Sequence, residues 1–253
     1  MPSAQDEGSA AKASILGLEA WLDSPSGRYL LDWEQRQMDA AVADLFGFHA
    51  LQLGWPCLQG LRANRMPQRW LALETPQHAA ADAALVTDFD ALPFESNSLD
   101  LLLLPHTLEF TRDPHHRLRE AHRVLRAEGR LLVLGLNPAS LWGLRQRLNP
   151  GFLPAQGEFL GYWRLRDWLQ LLGFEVAEAR FGCWRPPLQR QAWLSRWGFM
   201  DRWGPTWWPV FGAAYFFHAI KRVHGMRLVG LARAKGQRRS APAVALPSKV
   251  HKE

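Results

Sequence analysis

ALVTDFDALPFESNSLDLLLLPHTLEFTRDPHHRLREAHRVLRAEGRLLVLGL, residues 84 to 136, is the stretch whose reading decides the fold. Leu99 to Pro105 holds a continuous apolar run after the turn residues Asn97 and Ser98. An apolar run of that length, bounded by turn residues, suits a strand buried on both faces of a parallel sheet. Asp113 and Pro114 then open a helix in which Leu118, Ala121, Val124 and Leu125 recur at helical spacing. Gly129 is expected to end that helix, and Arg130 to Leu136 reads as a second buried strand. Strand, helix and strand in this order make a right-handed crossover, which means an α/β sheet. Ligands in such a sheet gather at the carboxyl ends of the strands.

Working outward, the chain of 253 residues is long enough for one sizeable α/β domain. A hydrophobic fraction of 47% and a charged fraction of 21% are those of an ordinary globular chain. Much of the net charge of +6 comes from Lys235, Arg238, Arg239, Lys249 and Lys252, in a polar tail. A tail of this kind reads as a solvated basic end, with contact to nucleic acid or anionic lipid as the alternative. Two cysteines, Cys57 and Cys183, have no metal-ligand spacing and point to a reducing, cytoplasmic setting. The N-terminus has no basic segment followed by an apolar core, and no run approaches the roughly 20 apolar residues of a spanning helix.

Ahead of the decisive stretch, Ser24 to Gly27 reads as a turn, and Glu34 to Phe46 as a helix with Met38, Val42, Leu45 and Phe46 on one stripe. His49 to Gly54 and Arg69 to Glu74 read as the first two strands, and Ala84 to Val86 as the third. Beyond it, Leu165 to Leu172 is helical, and Phe174 to Arg180 alternates as a strand. Of 13 tryptophans, nine fall between Trp142 and Trp208. Leu188 to Phe199 reads as an amphipathic helix, broken at Gly204 and Pro205, and Trp207 to Ile220 is strongly apolar. Core packing, a lid, a subunit contact and an interfacial membrane contact all stay open for this segment. Met226 to Ala232 is expected to supply the last strand.

Several of these residues, in order, resemble the class I S-adenosylmethionine-dependent methyltransferases. They are Asp88 to Phe94, Ser98 to Asp100, His106 to Glu109, Leu118 to Glu120, Arg123 to Leu125 and Glu128 to Leu131. More narrowly they resemble the small-molecule branch that includes the ubiquinone and menaquinone biosynthesis methyltransferases. The resemblance implies a Rossmann-like, seven-stranded, mostly parallel sheet with helices on both faces and an antiparallel last strand. It divides the chain into an extension over 1–28, a methyltransferase-like domain over 29–235 with an aromatic segment at 188–220, and a basic tail over 236–253.

The implied cofactor is S-adenosylmethionine. Its expected contacts are Gln52 and Gly54 at the turn after the first strand, Glu74 on the ribose hydroxyls, Asp88 and Phe89 on the adenine, and Pro105. His106 falls beside the transferred methyl, as a base or as a group holding a substrate oxygen. Asn137 and Trp142, after the fifth strand, are expected to face the substrate; helix capping and packing is the equal alternative.

The departures are as informative as the matches. Where the family carries a glycine-rich turn, this chain has Gly54-Trp55-Pro56-Cys57-Leu58. Gln52 stands in place of the family's acid, and Phe110 in place of a second histidine found in many relatives. Pro56 has no N–H and a fixed φ. The first reading is therefore methyl transfer to a small, fairly apolar molecule. The second is a non-catalytic module on the same fold that binds a ligand or a protein. No nucleic-acid-binding motif accompanies the charge, so no sequence-specific nucleic acid is expected. A peripheral membrane or subunit contact is placed at 203–220.

Overall fold

A computed structural model of the chain describes residues 21–75, 85–149, 159–188 and 190–223. Helix α1 (Pro25–Val42) precedes strands β1 (His49–Leu53), β2 (Gln68–Leu73), β3 (Leu85–Val86) and β4 (Leu99–Pro105). Helix α2 (Pro114–Val124) joins β4 to β5 (Leu125–Leu136). Helices α3 (Leu141–Leu148) and α4 (Tyr162–Leu171), strand β6 (Phe174–Gly182), helices α5 (Gln191–Arg196) and α6 (Phe199–Trp207), and strand β7 (Ala214–Lys221) follow. The seven strands form one sheet in the order β3-β2-β1-β4-β5-β7-β6. The pairs from β3 to β5 are parallel, and β7 runs antiparallel between β5 and β6.

The leucines of β4 explain why the sheet is covered on both faces. Successive strand side chains point to opposite faces. Leu102 and Leu104 pack with Leu118 and Ala121 of α2 and Leu165 and Leu169 of α4. Leu101 and Leu103 pack with Met38 and Val42 of α1 on the other face. All seven residues of β4 are buried, the five apolar residues 101–105 among them, and the one carboxylate, Asp100, accepts from the Phe48 and His49 N–H groups at 2.6 and 2.8 Å.

Several boundaries differ from those read in the sequence. Ser24 is the N-cap of α1 rather than part of a turn, with its side chain accepting from the Gly27 N–H at 3.1 Å. Pro25 follows at the first helical position, where its missing N–H costs nothing. Trp21 packs edge-on against Trp142, so the segment just before the helix belongs to the core. Helix α2 stops at Val124, not at Gly129, because Leu125 turns to extended backbone and pairs with Leu99. Gly129 lies inside β5, behind Glu128, which has a positive φ of 63°. Pro205 sits inside α6 rather than ending a helix.

The largest correction concerns the last strand. Met226 to Ala232 lies outside the described residues, and the antiparallel strand beside β5 is Ala214–Lys221. The apolar run at the end of the aromatic stretch is therefore sheet interior. Tyr215, Phe216 and Phe217 are each 1% exposed or less. A membrane or subunit contact cannot use them, and within 203–220 the exposed large apolar side chains, Trp203, Trp207, Trp208 and Phe211, all precede Gly212. The tail over 236–253 and the first 20 residues are also outside the described residues. No helix among the described residues is long and apolar enough to cross a membrane.

Candidate functional site

The turn after β1 opens the site. In a doubly wound sheet a helix commonly carries the crossover between parallel strands, and its N-terminus attracts anionic groups. Here residues 54 to 67 form turns without a helix. Gly54 and Trp55 both take positive φ, 69° and 55°. Glycine adopts that conformation freely, whereas tryptophan is strained in it. A Cβ at Gly54 would touch Phe89 and Thr107 at 3.4 Å, so the missing side chain lets the backbone lie close to both.

Gln52 holds this turn together. Its Nε2 donates to the carbonyls of Gly54, Trp55 and Leu58 at 3.1, 3.1 and 2.8 Å. Its Oε1 accepts from the Gly60 N–H at 3.0 Å. With both ends of the amide engaged and the residue buried, Gln52 fastens the loop from beneath and does not face the cleft. This corrects its placement as a cofactor contact. The remaining expected contacts do converge. Gly54, Glu74, Phe89, Pro105 and His106 line one cleft at the carboxyl ends of β1, β2 and β4, together with Leu22, Trp55, Pro56, Cys57, Thr107, Phe110 and Arg117.

Arg117 was not singled out in the sequence, where it reads as one of the charges on α2. Its guanidinium reaches Glu74 at 2.8 Å, Asp90 at 2.9 Å and the Thr107 carbonyl at 3.0 Å. It also lies 5.3 Å from the Phe89 ring centre. Burial pushes the Glu74 carboxyl up from its ordinary range, and Arg117 pulls against that shift. Asp88 stands just outside the cleft lining. One of its oxygens accepts from the Asp90 N–H at 2.8 Å, closing an Asx turn that presents Phe89 inward.

His106 is the most constrained residue of the site. It is buried, with φ of 53°, and both ring nitrogens are taken. Nε2 meets Glu34 Oε1 at 2.7 Å and Nδ1 meets Glu109 Oε2 at 3.0 Å. Glu109 also accepts from the Leu136 N–H. Burial lowers the affinity of the imidazole for a proton, but the two carboxylates outweigh it and hold the pKa up at about 10. A ring that is doubly protonated and engaged at both nitrogens has no lone pair to offer. His106 is thus an imidazolium clamp rather than a base. Trp55 lies over it with ring centres 4.6 Å apart.

The clamp carries a pH signature. A raised folded-state pKa means that the stability it lends is complete below the unfolded histidine value, about 6.5. That contribution falls as pH rises from there through about 10. The urea midpoint is expected to drop over that window in the native protein, and less steeply in a His106→Ala variant.

Glu34 was also missed. Its signal was present, because Leu30, Glu34, Met38 and Val42 are spaced four apart and all are buried on α1. An acid on the apolar stripe of a helix needs a buried partner. Asn137 and Trp142 are corrected in the opposite direction. Asn137 Nδ2 donates to the carbonyls of Val210 and Gly212 at 2.7 and 3.0 Å. Trp142 is 1% exposed, with its indole N–H on the Arg185 carbonyl at 2.8 Å. Both hold the end of β5 together and neither lines the cleft.

The donor set suits an adenosine-bearing cofactor. Glu74 offers a carboxylate at the end of β2, Phe89 offers a ring, and Gly54 leaves room for a close approach. Thr107 Oγ1 and Trp55 Nε1 are buried without a partner among the described residues, and both belong to residues of the cleft. Buried polar atoms of that kind are commonly satisfied by a ligand or water. The free volume is only about 60 Å3, well below the 300–1,000 Å3 of typical ligand sites, with Trp55 and Phe110 stacked in it at 6.5 Å.

Comparison with known proteins gives a consistent picture. A methyltransferase-domain family matches residues 68–133. The uncharacterized protein YafS of Escherichia coli is 33% identical over 171 residues, which cover 66% of this chain and 69% of that protein. The uncharacterized protein Rv2003c of Mycobacterium tuberculosis is 31% identical over 190 residues, covering 71% of this chain and 65% of that one. The chain therefore spans about two thirds of the length of these relatives. A solved structure from Thermotoga maritima, described as an S-adenosylmethionine-dependent methyltransferase and possible histamine N-methyltransferase, superposes with a TM-score of 0.59. It is 17% identical, over 77% of this chain and 90% of that one, which is a likeness of fold.

Proposed function

This chain belongs to the class I S-adenosylmethionine-dependent methyltransferase superfamily, and from that premise we propose that it methylates a small, largely apolar molecule at the cleft between β1, β2 and β4. Its cofactor is S-adenosylmethionine, which when bound supplies an electrophilic methyl group on a sulfonium. The observation that carries the reading is the convergence of Gly54, Glu74, Phe89 and Thr107 on one cleft.

Glu74 would accept from the ribose hydroxyls, a carboxylate being an acceptor without a competing donor. Arg117 holds that carboxylate in place and balances its charge. Phe89 would form the wall for the adenine, Asp88, at the cleft's margin, would accept from its amino group, and Gly54 keeps the turn open. The Glu34–His106–Glu109 clamp sets two carboxylates against one imidazolium, which favours a sulfonium nearby over its neutral product. His106 abstracts no proton in this scheme. Direct displacement relies instead on positioning and approach. Leu22, Trp55, Pro56 and Phe110 make the surroundings apolar, which supports an apolar acceptor.

The narrow cleft favours a second reading, a ligand-binding or partner-binding module without turnover, because the Trp55 indole must move before a cofactor can enter. Calorimetric titration with S-adenosylmethionine and S-adenosylhomocysteine separates the two. Micromolar binding that weakens by about 1–3 kcal/mol in Asp88→Ala is the expected result. Absence of binding by a folded sample overturns the cofactor assignments and leaves the module reading.

A further inference from the structure

We propose that a second cavity, at the carboxyl end of β5, is a binding site for an amphiphile with an apolar body and a single anionic head. This site stands apart from the cleft and does not depend on the methyl-transfer reading. It has a volume of about 600 Å3, and none of its lining residues lines the cofactor cleft. That volume falls within the range of small-molecule sites.

Its walls are apolar. Leu141 and Leu144 of α3 face Met200 of α6, Trp184, Trp208 and Phe211. Leu141, Leu144, Trp208 and Phe211 are each about half exposed, at 46, 53, 48 and 51%. Apolar surface left in water costs about 25 cal/mol per Å2, and an apolar ligand seated between these side chains removes that cost. The aromatic enrichment of the second half of the sequence, which the cofactor cleft does not use, is spent in part on these walls.

The cavity is braced. The Asn137 amide ties the Val210–Gly212 loop to the end of β5 through two hydrogen bonds, at 2.7 and 3.0 Å. The Trp184 indole N–H donates to the Trp208 carbonyl at 3.0 Å. Gly204 lies flat against the Trp184 ring, where a Cβ would clash. Arg145 donates to the Pro187 carbonyl. Walls held in this way need little ordering when a ligand enters, which favours affinity.

The polar end is defined by what remains. The Ser140 hydroxyl is engaged with the Asn137 carbonyl and the Gly143 N–H. Among the described residues, Arg147 is the one charged side chain lining the cavity; it is exposed and forms no ion pair with another of them. A guanidinium at the rim of an apolar chamber recognises a carboxylate, sulfate or phosphate. An apolar chain with that head fits both features at once.

The full chain titrated calorimetrically with dodecanoate, below its micelle-forming concentration, tests this. The expected result is one dodecanoate per chain and much weaker binding of dodecyltrimethylammonium, which reverses the charge. Arg147→Gln should weaken dodecanoate binding about tenfold. Ala139→Trp, which places an indole at the cavity lining, should abolish it, and both variants should keep the urea midpoint of the parent. Failure of dodecanoate to bind overturns the proposal. Equal affinity in both variants overturns it too, as does binding confined to anionic phosphatidylglycerol vesicles, which would mark a bilayer-contacting surface instead.

Discussion

Replacement of His106 by alanine is expected to cost about 3–5 kcal/mol of folding stability. The imidazolium is the shared partner of two carboxylates, Glu34 and Glu109, and all three side chains are 2% exposed or less. Removing the cation leaves both acids buried without their partner, and Glu34 Oε2 already has no hydrogen bond among the described residues. Urea unfolding followed by circular dichroism measures the loss. Glu34→Gln in the His106→Ala background should recover part of it, since it removes one of the stranded charges. A catalytic base would behave differently, losing turnover while leaving the urea midpoint nearly unchanged. That outcome would remove the clamp assignment.

Phe217→Ala should be comparably damaging, at about 3–5 kcal/mol. Phe217 is fully buried on β7 between Val133 of β5 and Ala179 of β6. Its ring stacks on Tyr162 of α4 at 4.9 Å and meets Tyr215 edge-on at 5.6 Å. Truncation leaves a cavity in the middle of the sheet that neighbouring strands cannot fill. Trp207→Ala, ten residues earlier in the same aromatic stretch, makes the contrast. Trp207 is 73% exposed, so its loss should change stability by no more than about 0.5 kcal/mol. Equal effects at the two positions would contradict the division of this stretch into strand and surface.

That division shows where reading along the chain succeeds and where it stops. Leu99–Pro105 is legible as a strand because its five-residue apolar run, 101–105, set between turn residues, has few other buried solutions. Asp113 and Pro114 are legible as a helix start because capping and a fixed φ are properties of the residues themselves. Gly54, Glu74 and Phe89 are legible as neighbours through the family resemblance, which places them at the carboxyl ends of strands that a parallel sheet brings together. The aromatic stretch is different. Apolar composition marks Trp207 to Ile220 for burial against something, and does not distinguish a lid from a central strand. Only pairing with β5 on one side and β6 on the other decides that Ala214–Lys221 is the antiparallel strand.

The site residues divide along the same line. Whether a polar side chain faces a ligand or its own backbone depends on which acceptors the fold places within about 3 Å of it. For Gln52 those acceptors are three carbonyls of the following turn, and for Asn137 two carbonyls some 73 and 75 residues away. Arg117 is hidden for the same reason, and for Glu34 the helical stripe marks burial without naming the partner. Their partners, Glu74 and His106, lie 43 and 72 residues distant. Propensity, capping and burial periodicity are local, so the sequence by itself determined the α/β sheet, its central strands and the place of the cleft. Hydrogen bonds and ion pairs between distant segments form only once the chain has folded. The tertiary structure alone therefore decided that His106 is a clamp, that Arg117 belongs to the cleft, and that the end of the aromatic run lies inside the sheet.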